Sequence, residues 1–287
     1  MAFDFQQPRP VAGATTTGRI TRFDGEALRE AEDVLATEEP LEIRLGFEIL
    51  GRPAERSVCV TMRTPGEDRE LAVGFLIGES VIRGAEEIES IAAMGDPNIL
   101  RVKLRPEVSV DVGAVQRNFY TTSSCGVCGK ASLEALTMSG VEPIATGDLT
   151  VPASLVGRLP EALREAQEIF GVTGGVHAAG LFDGAGNLLG LREDVGRHNA
   201  MDKLVGAMEL GGEEWSAGEV LVLSGRASFE LLQKAIVAGI PVVVAVGAPS
   251  SLARELAEAF GVTLIGFARP GRFNIYAHAE RIRVEEG

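Results

Sequence analysis

The sequence predicts an α/β protein in two parts. One is a carboxyl-terminal unit of parallel strands joined by helical crossovers; the other is a smaller, mixed α/β amino-terminal unit. Three observations carry this expectation. Short, continuously apolar runs at 220–223, 242–246 and 263–267 alternate with helical patterns of about ten residues at 229–238 and 252–260, as strands buried on both faces do. Nearer the start, Leu41, Glu42, Ile43, Arg44 and Leu45 alternate as a half-buried strand. The chain has 287 residues, 45% hydrophobic and 24% charged, a globular composition at a length that suits two domains of about 150 residues.

Taken in order, the strand at 41–45 has an antiparallel partner at 57–62, followed by a loop at 64–68. A helix then carries Leu71, Phe75, Ile77 and Ile82, only roughly periodic and weakened by Gly74 and Gly78. Strands follow at 99–104 and 108–112. Residues 119–138 form a separate feature that runs into a helical pattern, and 146–152 reads as a linker. Leu159, Leu163, Ala166 and Phe170 line one helix that Pro160 opens. The runs at 176–182 and 188–193 flank Asp183-Gly184-Ala185-Gly186-Asn187 as a hairpin, and 198–210 is a helix. The division expected is 1–118 for the amino-terminal unit, 119–150 for a loop, helix and linker, and 151–287 for the ligand-binding unit.

Lys and Arg number 27 against 41 Asp and Glu, a net charge of −14, which argues against duplex DNA or an anionic membrane as partner. Three cysteines make no disulfide framework. The first ten residues hold no signal-peptide core, and no run approaches the ~20 apolar residues of a membrane span. A reducing, cytoplasmic setting is the expectation.

Three segments carry chemistry. The first is the set of loops after the three parallel strands: Ser224-Gly225-Arg226-Ala227-Ser228, Gly247-Ala248-Pro249-Ser250, and Ala268-Arg269-Pro270-Gly271-Arg272. All three are expected at the carboxyl edge of the sheet, where ligands bind. Ser228 and Ser250 stand at helix N-cap positions, and Arg226, Arg269 and Arg272 add positive charge, so the edge suits a phosphate-bearing ligand. The plainer reading is that the serines only cap helices and the arginines only offset an acidic surface.

The second is Cys125-Gly126-Val127-Cys128, just before a helical pattern. A thiol near a helix N-terminus has a lowered pKa and can hold a persulfide, exchange disulfides or bind metal. A structural zinc site needs four ligands. Only Cys59 and three histidines remain, with no second paired motif among them.

The third is the charged run from Arg192 to Lys203, in which His198 and Asp202 are four apart and able to pair on one helix face. A solvated helix start explains the run equally well. His177 begins a strand and either contacts ligand or satisfies a local carbonyl. His278 reads as structural.

Together these segments resemble the FdhD family, the sulfur carriers required for formate dehydrogenase activity. The resemblance is carried by Ser124 to Gly129, then in order by 173–179, 192–203, 224–230, 248–253 and 266–276. It implies a sulfurtransferase with Cys125 as the persulfide-bearing nucleophile and Cys128 as its partner. A cysteine desulfurase is the implied donor. The implied acceptor is the Mo-bis-molybdopterin guanine dinucleotide cofactor destined for formate dehydrogenase. By position, Phe267, Ala268, Arg269, Pro270, Gly271 and Arg272 match the family's cofactor-binding stretch. Ser224, Gly225, Arg226, Ser250, His177 and His198 are the further candidates for binding it.

No intrinsic metal is implied, and the family suggests a homodimer. Its carboxyl-terminal domain is similar to the three-layer fold of cytidine deaminases. Deamination itself is not expected, because zinc deaminases need H-x-E and P-C-x-x-C. Here His198-Asn199-Ala200 lacks the glutamate, and Ser224 to Ser228 replaces the cysteines. Two other roles compete with sulfur transfer. One is a cofactor-binding chaperone with incidental thiols; the other is a thiol–disulfide oxidoreductase, although no thioredoxin-like strand pattern surrounds Cys125.

Overall fold

The computed structural model describes residues 13–49, 51–108, 140–145, 147, 149–211 and 219–284. The expected strand at 108–112 lies outside them from residue 109 on. The 119–138 feature, with Cys125 and Cys128, lies wholly outside them.

The amino-terminal part opens with an antiparallel ribbon of β1 (Thr15–Phe23) and β2 (Leu28–Ala36). Its turn is closed by Asp24, whose Oδ1 accepts from the Glu26 and Ala27 amides at 3.1 and 3.0 Å. The four-stranded sheet contains β3 (Glu39–Ile49), β4 (Arg52–Arg63), β5 (Ile88–Ala93) and β6 (Ile99–Leu104), in the order β4-β3-β6-β5. The expected antiparallel pairing of β3 and β4 is present.

Helix α1 (Asp68–Gly78) ends before Ile82, which is buried but outside the helix. Its glycines have a packing role that periodicity hides. A Cβ on Gly74 would lie 1.8 Å from the Asp202 carbonyl oxygen, and one on Gly206 would lie 1.9 Å from that of Glu70. The backbones of α1 and α5 (Arg197–Gly211) therefore touch, which only glycine at both positions allows.

The second part contains β7 (Val151–Pro152), α2 (Ala153–Val156), α3 (Leu159–Ala166), α4 (Glu168–Thr173), β8 (His177–Phe182) and β9 (Leu188–Asp194) ahead of α5. After α5 come β10 (Val220–Leu223), α6 (Phe229–Val237), β11 (Val242–Ala245), α7 (Ser251–Phe260), β12 (Thr263–Arg269), β13 (Arg272–Ala277) and β14 (Ile282–Arg283). The six-stranded sheet has the order β13-β12-β11-β10-β8-β9, with β10, β11 and β12 parallel as expected. The β8–β9 hairpin also forms as expected, its turn held by Asp183 Oδ1, which accepts from the Ala185 and Asn187 amides.

Alternate residues of the central strands enter two cores. Val220, Val222, Val242, Val244 and Ile265 pack with Val156, Leu159 and Leu163 on one face. Leu221, Leu223, Val243 and Leu264 join residues of α5, α6, α7, α1 and the four-stranded sheet on the other. Burial on both faces explains the unbroken apolar runs.

Two expectations are corrected. The helix expected through Phe170 breaks at Gln167, whose backbone is extended at ψ 102. The buried Glu193 carboxylate accepts from the Ile169 and Phe170 amides at 2.8 and 2.9 Å, so it starts a separate helix instead of leaving those donors inside a longer one. The end of the expected linker is not free either, because Val151 and Pro152 pair in parallel with Ile282 and Arg283. No helix among the described residues is long and apolar enough to cross a membrane.

Candidate functional site

At the carboxyl ends of β10, β11 and β12 the ladder continues into the loops. The Gly247 amide donates to the Gly225 carbonyl at 2.9 Å, and the Phe267 amide donates to the Gly247 carbonyl at 3.1 Å. Ala227 and Pro249 form a further parallel bridge, and the Ser250 amide donates to the Ala227 carbonyl at 3.0 Å. These bonds bring Gly225, Gly247 and Phe267 side by side in a rigid edge.

Ser224 fastens the neighbouring strand to this edge. Its hydroxyl accepts from the Ala178 amide at 2.8 Å, while its own amide donates to the Ala178 carbonyl at 3.0 Å. His177, at the start of β8, is consequently next to Gly225; a Cβ added there would lie 3.6 Å from His177 Nδ1. The Arg226 side chain leaves the same loop over Gly247, where a Cβ would lie 2.9 Å from Arg226 Cγ. Gly247 thus gives room to the Arg226 side chain, and Gly225 to the His177 imidazole.

The third loop is a hairpin turn: β12 and β13 pair antiparallel, with Arg269 and Arg272 facing each other. Gly271 makes the tight turn at φ 73. Ala268 is buried, whereas Phe267, Arg269, Pro270, Gly271 and Arg272 are exposed. The hairpin tip is seated on Gly157, where a Cβ would lie 3.1 Å from the Arg269 carbonyl oxygen and 3.6 Å from the Pro270 Cα. The alternating residues 272–277 and the Pro270-Gly271 turn are the sequence signal for this hairpin.

The N-termini of α5 and α6 form a second group beside the loops. Ser250 caps α7 as expected, accepting from the Ala253 amide at 3.1 Å. Ser228 holds the N-cap position of α6 but makes no side-chain cap bond. Its hydroxyl lies 3.4 Å from His198 Nε2, and Glu230 Oε2 lies 3.7 Å from the same nitrogen. The expected His198–Asp202 pair does not form, because Asp202 is turned inward to the Lys234 ammonium at 2.7 Å.

Burial, with Arg197 adding to it, pushes His198 down to about 4 against the opposing pull of Glu230. Burial and Arg197 also lower His177. Both rings are therefore neutral near pH 7, and Arg197 is the cation acting on both. Arg197 and Glu230 are site residues that sequence reasoning did not single out. Their signal was position, in the first turns of two helices that start at one sheet edge.

The remainder of the charged run faces inward. Arg192 Nη2 donates to Glu70 at 2.9 Å. Glu193 caps α4. Asp194 accepts from the Thr64 amide at 3.0 Å, the Gly196 amide at 2.9 Å and Asn199 Nδ2 at 3.0 Å. The run is thus mainly a seam between the two parts, and Arg197 and His198 are its contribution to the edge. His278 is structural as expected, with its ring nitrogens at Glu280 and the Glu258 carbonyl.

A separate cavity of about 640 Å³, lined by Glu219, Pro241, Arg281 and neighbours, lies at the opposite, amino end of β10 and β11. Among the described residues, no three His, Cys, Asp or Glu side chains are grouped to hold a metal ion.

The family model described as "FdhD/NarQ family" matches residues 36–283. Among curated relatives, the protein named "Sulfur carrier protein FdhD" of Mycolicibacterium paratuberculosis is 50% identical over 284 residues, covering 93% of this chain and 98% of its own. The protein of the same name in Streptomyces coelicolor is 46% identical, covering 93% and 95%. That of Saccharolobus solfataricus is 41% identical, covering 92% and 98%. Among solved structures, that of a candidate formate dehydrogenase accessory protein from Desulfotalea psychrophila superposes with a TM-score of 0.72 at 26% identity. It covers 94% of this chain and 100% of that one.

Proposed function

The chain belongs to the FdhD/NarQ family, and from that premise we propose that it carries sulfur for the maturation of formate dehydrogenase. The observation that carries this reading is the match to relatives named sulfur carriers over more than nine-tenths of the chain. In this chain the match is accompanied by a C-x-x-C pair at Cys125 and Cys128.

The chemistry follows from the thiols. The Cys125 thiolate attacks the terminal sulfur of a cysteine persulfide on a desulfurase. A new S–S bond forms at Cys125, the donor's S–S bond breaks, and the donor cysteine leaves as its thiolate. The persulfide then delivers its outer sulfur to a bound Mo-bis-molybdopterin guanine dinucleotide. Where that sulfur leaves as sulfide, Cys128 supplies the two electrons by closing a Cys125–Cys128 disulfide, which a cellular dithiol reopens.

The loop edge fits the anionic acceptor. Gly225 adds no side chain beside His177, and Arg197, Arg226, Arg269 and Arg272 are cations on a chain of net charge −14. The proposed working form is a cytoplasmic homodimer that meets both the desulfurase and formate dehydrogenase.

Intact-mass analysis after incubation with desulfurase and cysteine tests the thiol role. The wild-type chain gains about 32 Da, one sulfur atom, and Cys125→Ala does not. A wild-type chain that gains no sulfur refutes the proposal.

A further inference from the structure

We propose that the cavity at the amino ends of β10 and β11 binds an aliphatic α-amino acid, with its carboxylate on Arg281 and its ammonium on Glu219. The site is apart from the loop edge. Glu219 precedes β10 and Ser224 follows it, about 17 Å away along the strand.

Arg281 forms part of the cavity wall and is 1% exposed. Its Nη1 donates to the Gly261 carbonyl at 2.8 Å and to Thr263 Oγ1 at 3.2 Å, and its Nη2 donates to the Ala145 carbonyl at 2.9 Å. These bonds clamp the C-cap of α7 and the start of β12 to residue 145. They account for three of the five N–H donors of a guanidinium. Nε is buried with no partner among the described residues. The Nε–H and the second Nη2–H share one side of the planar group, the side that offers a carboxylate two parallel hydrogen bonds. That side is turned to the cavity, because Ala145, the acceptor of Nη2, lines it, whereas Gly261 and Thr263 do not. No ion pair joins Arg281 to a carboxylate among the described residues, and burial, only partly offset by Glu280, lowers its pKa. A buried cation with neutral acceptors and an idle donor fork is costly until an anion completes it.

The other walls select the rest of the ligand. The backbone of Glu219 is fixed between strands: its amide donates to the Phe182 carbonyl at 3.0 Å, and its carbonyl accepts from the Val242 amide at 3.2 Å. Its carboxylate rests on the β8–β9 turn, where a Cβ on Gly184 would lie 2.5 Å from Oε2. A carboxylate in the same cavity disfavours phosphate or a dicarboxylate at the guanidinium, since their excess negative charge would face it. A zwitterion satisfies both groups, because its carboxylate meets the fork, its ammonium meets Glu219, and the cavity stays neutral. Ile144, Leu149 and Pro241 add apolar surface for an aliphatic side chain, and a volume of about 640 Å³ is in the range of small-molecule sites.

The test measures binding of four probes to the full-length chain by calorimetry: L-leucine, its analogues 4-methylpentanoate and 3-methylbutylamine, which each lack one of its charges, and inorganic phosphate. L-leucine should bind about tenfold or more tightly than each of the other three, the worth of one charge-assisted hydrogen bond. Glu219→Gln should abolish the advantage of L-leucine over 4-methylpentanoate while leaving Tm unchanged. Arg281→Lys keeps the positive charge and removes the fork, so it should weaken L-leucine and 4-methylpentanoate alike and leave 3-methylbutylamine unchanged. If Arg281→Lys does not fold, Glu219→Gln decides alone. Binding of 4-methylpentanoate or phosphate as tightly as L-leucine shows a plain anion site and overturns the assignment. Failure of the wild-type chain to bind L-leucine, or a Glu219→Gln chain that keeps the wild-type preference, overturns it as well.

Discussion

Lys203 Nζ lies 2.9 Å from Asp194 Oδ2, with the two side chains 1% and 0% exposed. The pair joins the two parts of the molecule, because Lys203 also donates to the Thr64 carbonyl at 2.9 Å and Asp194 accepts from the Thr64 amide. Removing one partner leaves the other charge buried and uncompensated. Lys203→Met and Asp194→Ala should each cost about 3–5 kcal/mol in urea unfolding. The double variant should cost less than their sum by about 0.5–3 kcal/mol, since the two groups share one interaction. Additive losses would show that the pair does not act as a unit.

Gly74 inverts an ordinary rule. In an exposed helix interior, Gly→Ala stabilises by roughly 1 kcal/mol. Here the added methyl meets the Asp202 carbonyl oxygen of a packed helix, so α1 must move away from α5. Gly74→Ala should destabilise by about 3 kcal/mol, the upper end for overpacking, with the thermal midpoint as readout. An unchanged midpoint would mean that the helices separate at no cost.

The parallel strands and their helices were legible because each strand is buried on two faces and each helix shows a stripe, as Leu256 and Phe260 do on α7. The β1–β2 ribbon was not read, although its threonine-rich first strand and Asp24-Gly25 turn are hairpin signals; most of its residues are exposed, so it lacks the apolar alternation that reveals a strand. At the candidate site, the loops and their glycines were legible from spacing. The partner of His198 was not. Two carboxylates were within helical or spatial reach, and the choice was made by Lys234, whose 2.7 Å pairing with Asp202 depends on the packing of α6 against α5. Likewise, charge density suggested that 192–203 edged a site, and only the tertiary structure shows Asp194 and Glu193 spent on backbone amides.

His198 gives the fold a pH dependence of known sign. Its folded value is pushed down to about 4, while an unfolded histidine titrates near 6.5. Between these values the unfolded chain binds a proton that the folded chain refuses, so stability falls as pH drops from 6.5 toward 4. At pH 5 the loss from this group is about 2 kcal/mol. Asp202 acts in the opposite direction, since burial raises it to about 6 and the folded state gains as it protonates between pH 6 and 3.8. Comparison with His198→Gln isolates the histidine: the variant should lose less stability than wild type between pH 7 and 5. Parallel losses would place His198 in water.

Cys59 should be inert. Burial, reinforced by the Asp202 and Glu79 carboxylates, pushes its thiol up to about 12, so almost none is thiolate at pH 7.5, and the thiolate is the reactive form. Iodoacetamide on the native chain should modify Cys125 and Cys128 within minutes and reach Cys59 only after denaturation, as peptide mass mapping would show. Early labelling of Cys59 would contradict its burial.

Sulfur transfer and simple cofactor binding separate at two positions. If Cys125 bears the transferred sulfur, Cys125→Ala abolishes formate dehydrogenase activity in cells depleted of the wild-type chain while leaving guanosine diphosphate affinity in vitro unchanged. Arg272, exposed on the β12–β13 hairpin opposite Arg269, is expected to contact phosphate instead. Arg272→Ala should lower that affinity by about tenfold, the loss of one charge-assisted hydrogen bond of roughly 1.5 kcal/mol, and still accept sulfur at Cys125 by intact mass. A binding-only chaperone gives the reverse pattern, with full formate dehydrogenase activity for Cys125→Ala and none for Arg272→Ala. Sulfur loading and ligand affinity are read on separate assays, so each variant decides one half of the mechanism without reference to the other.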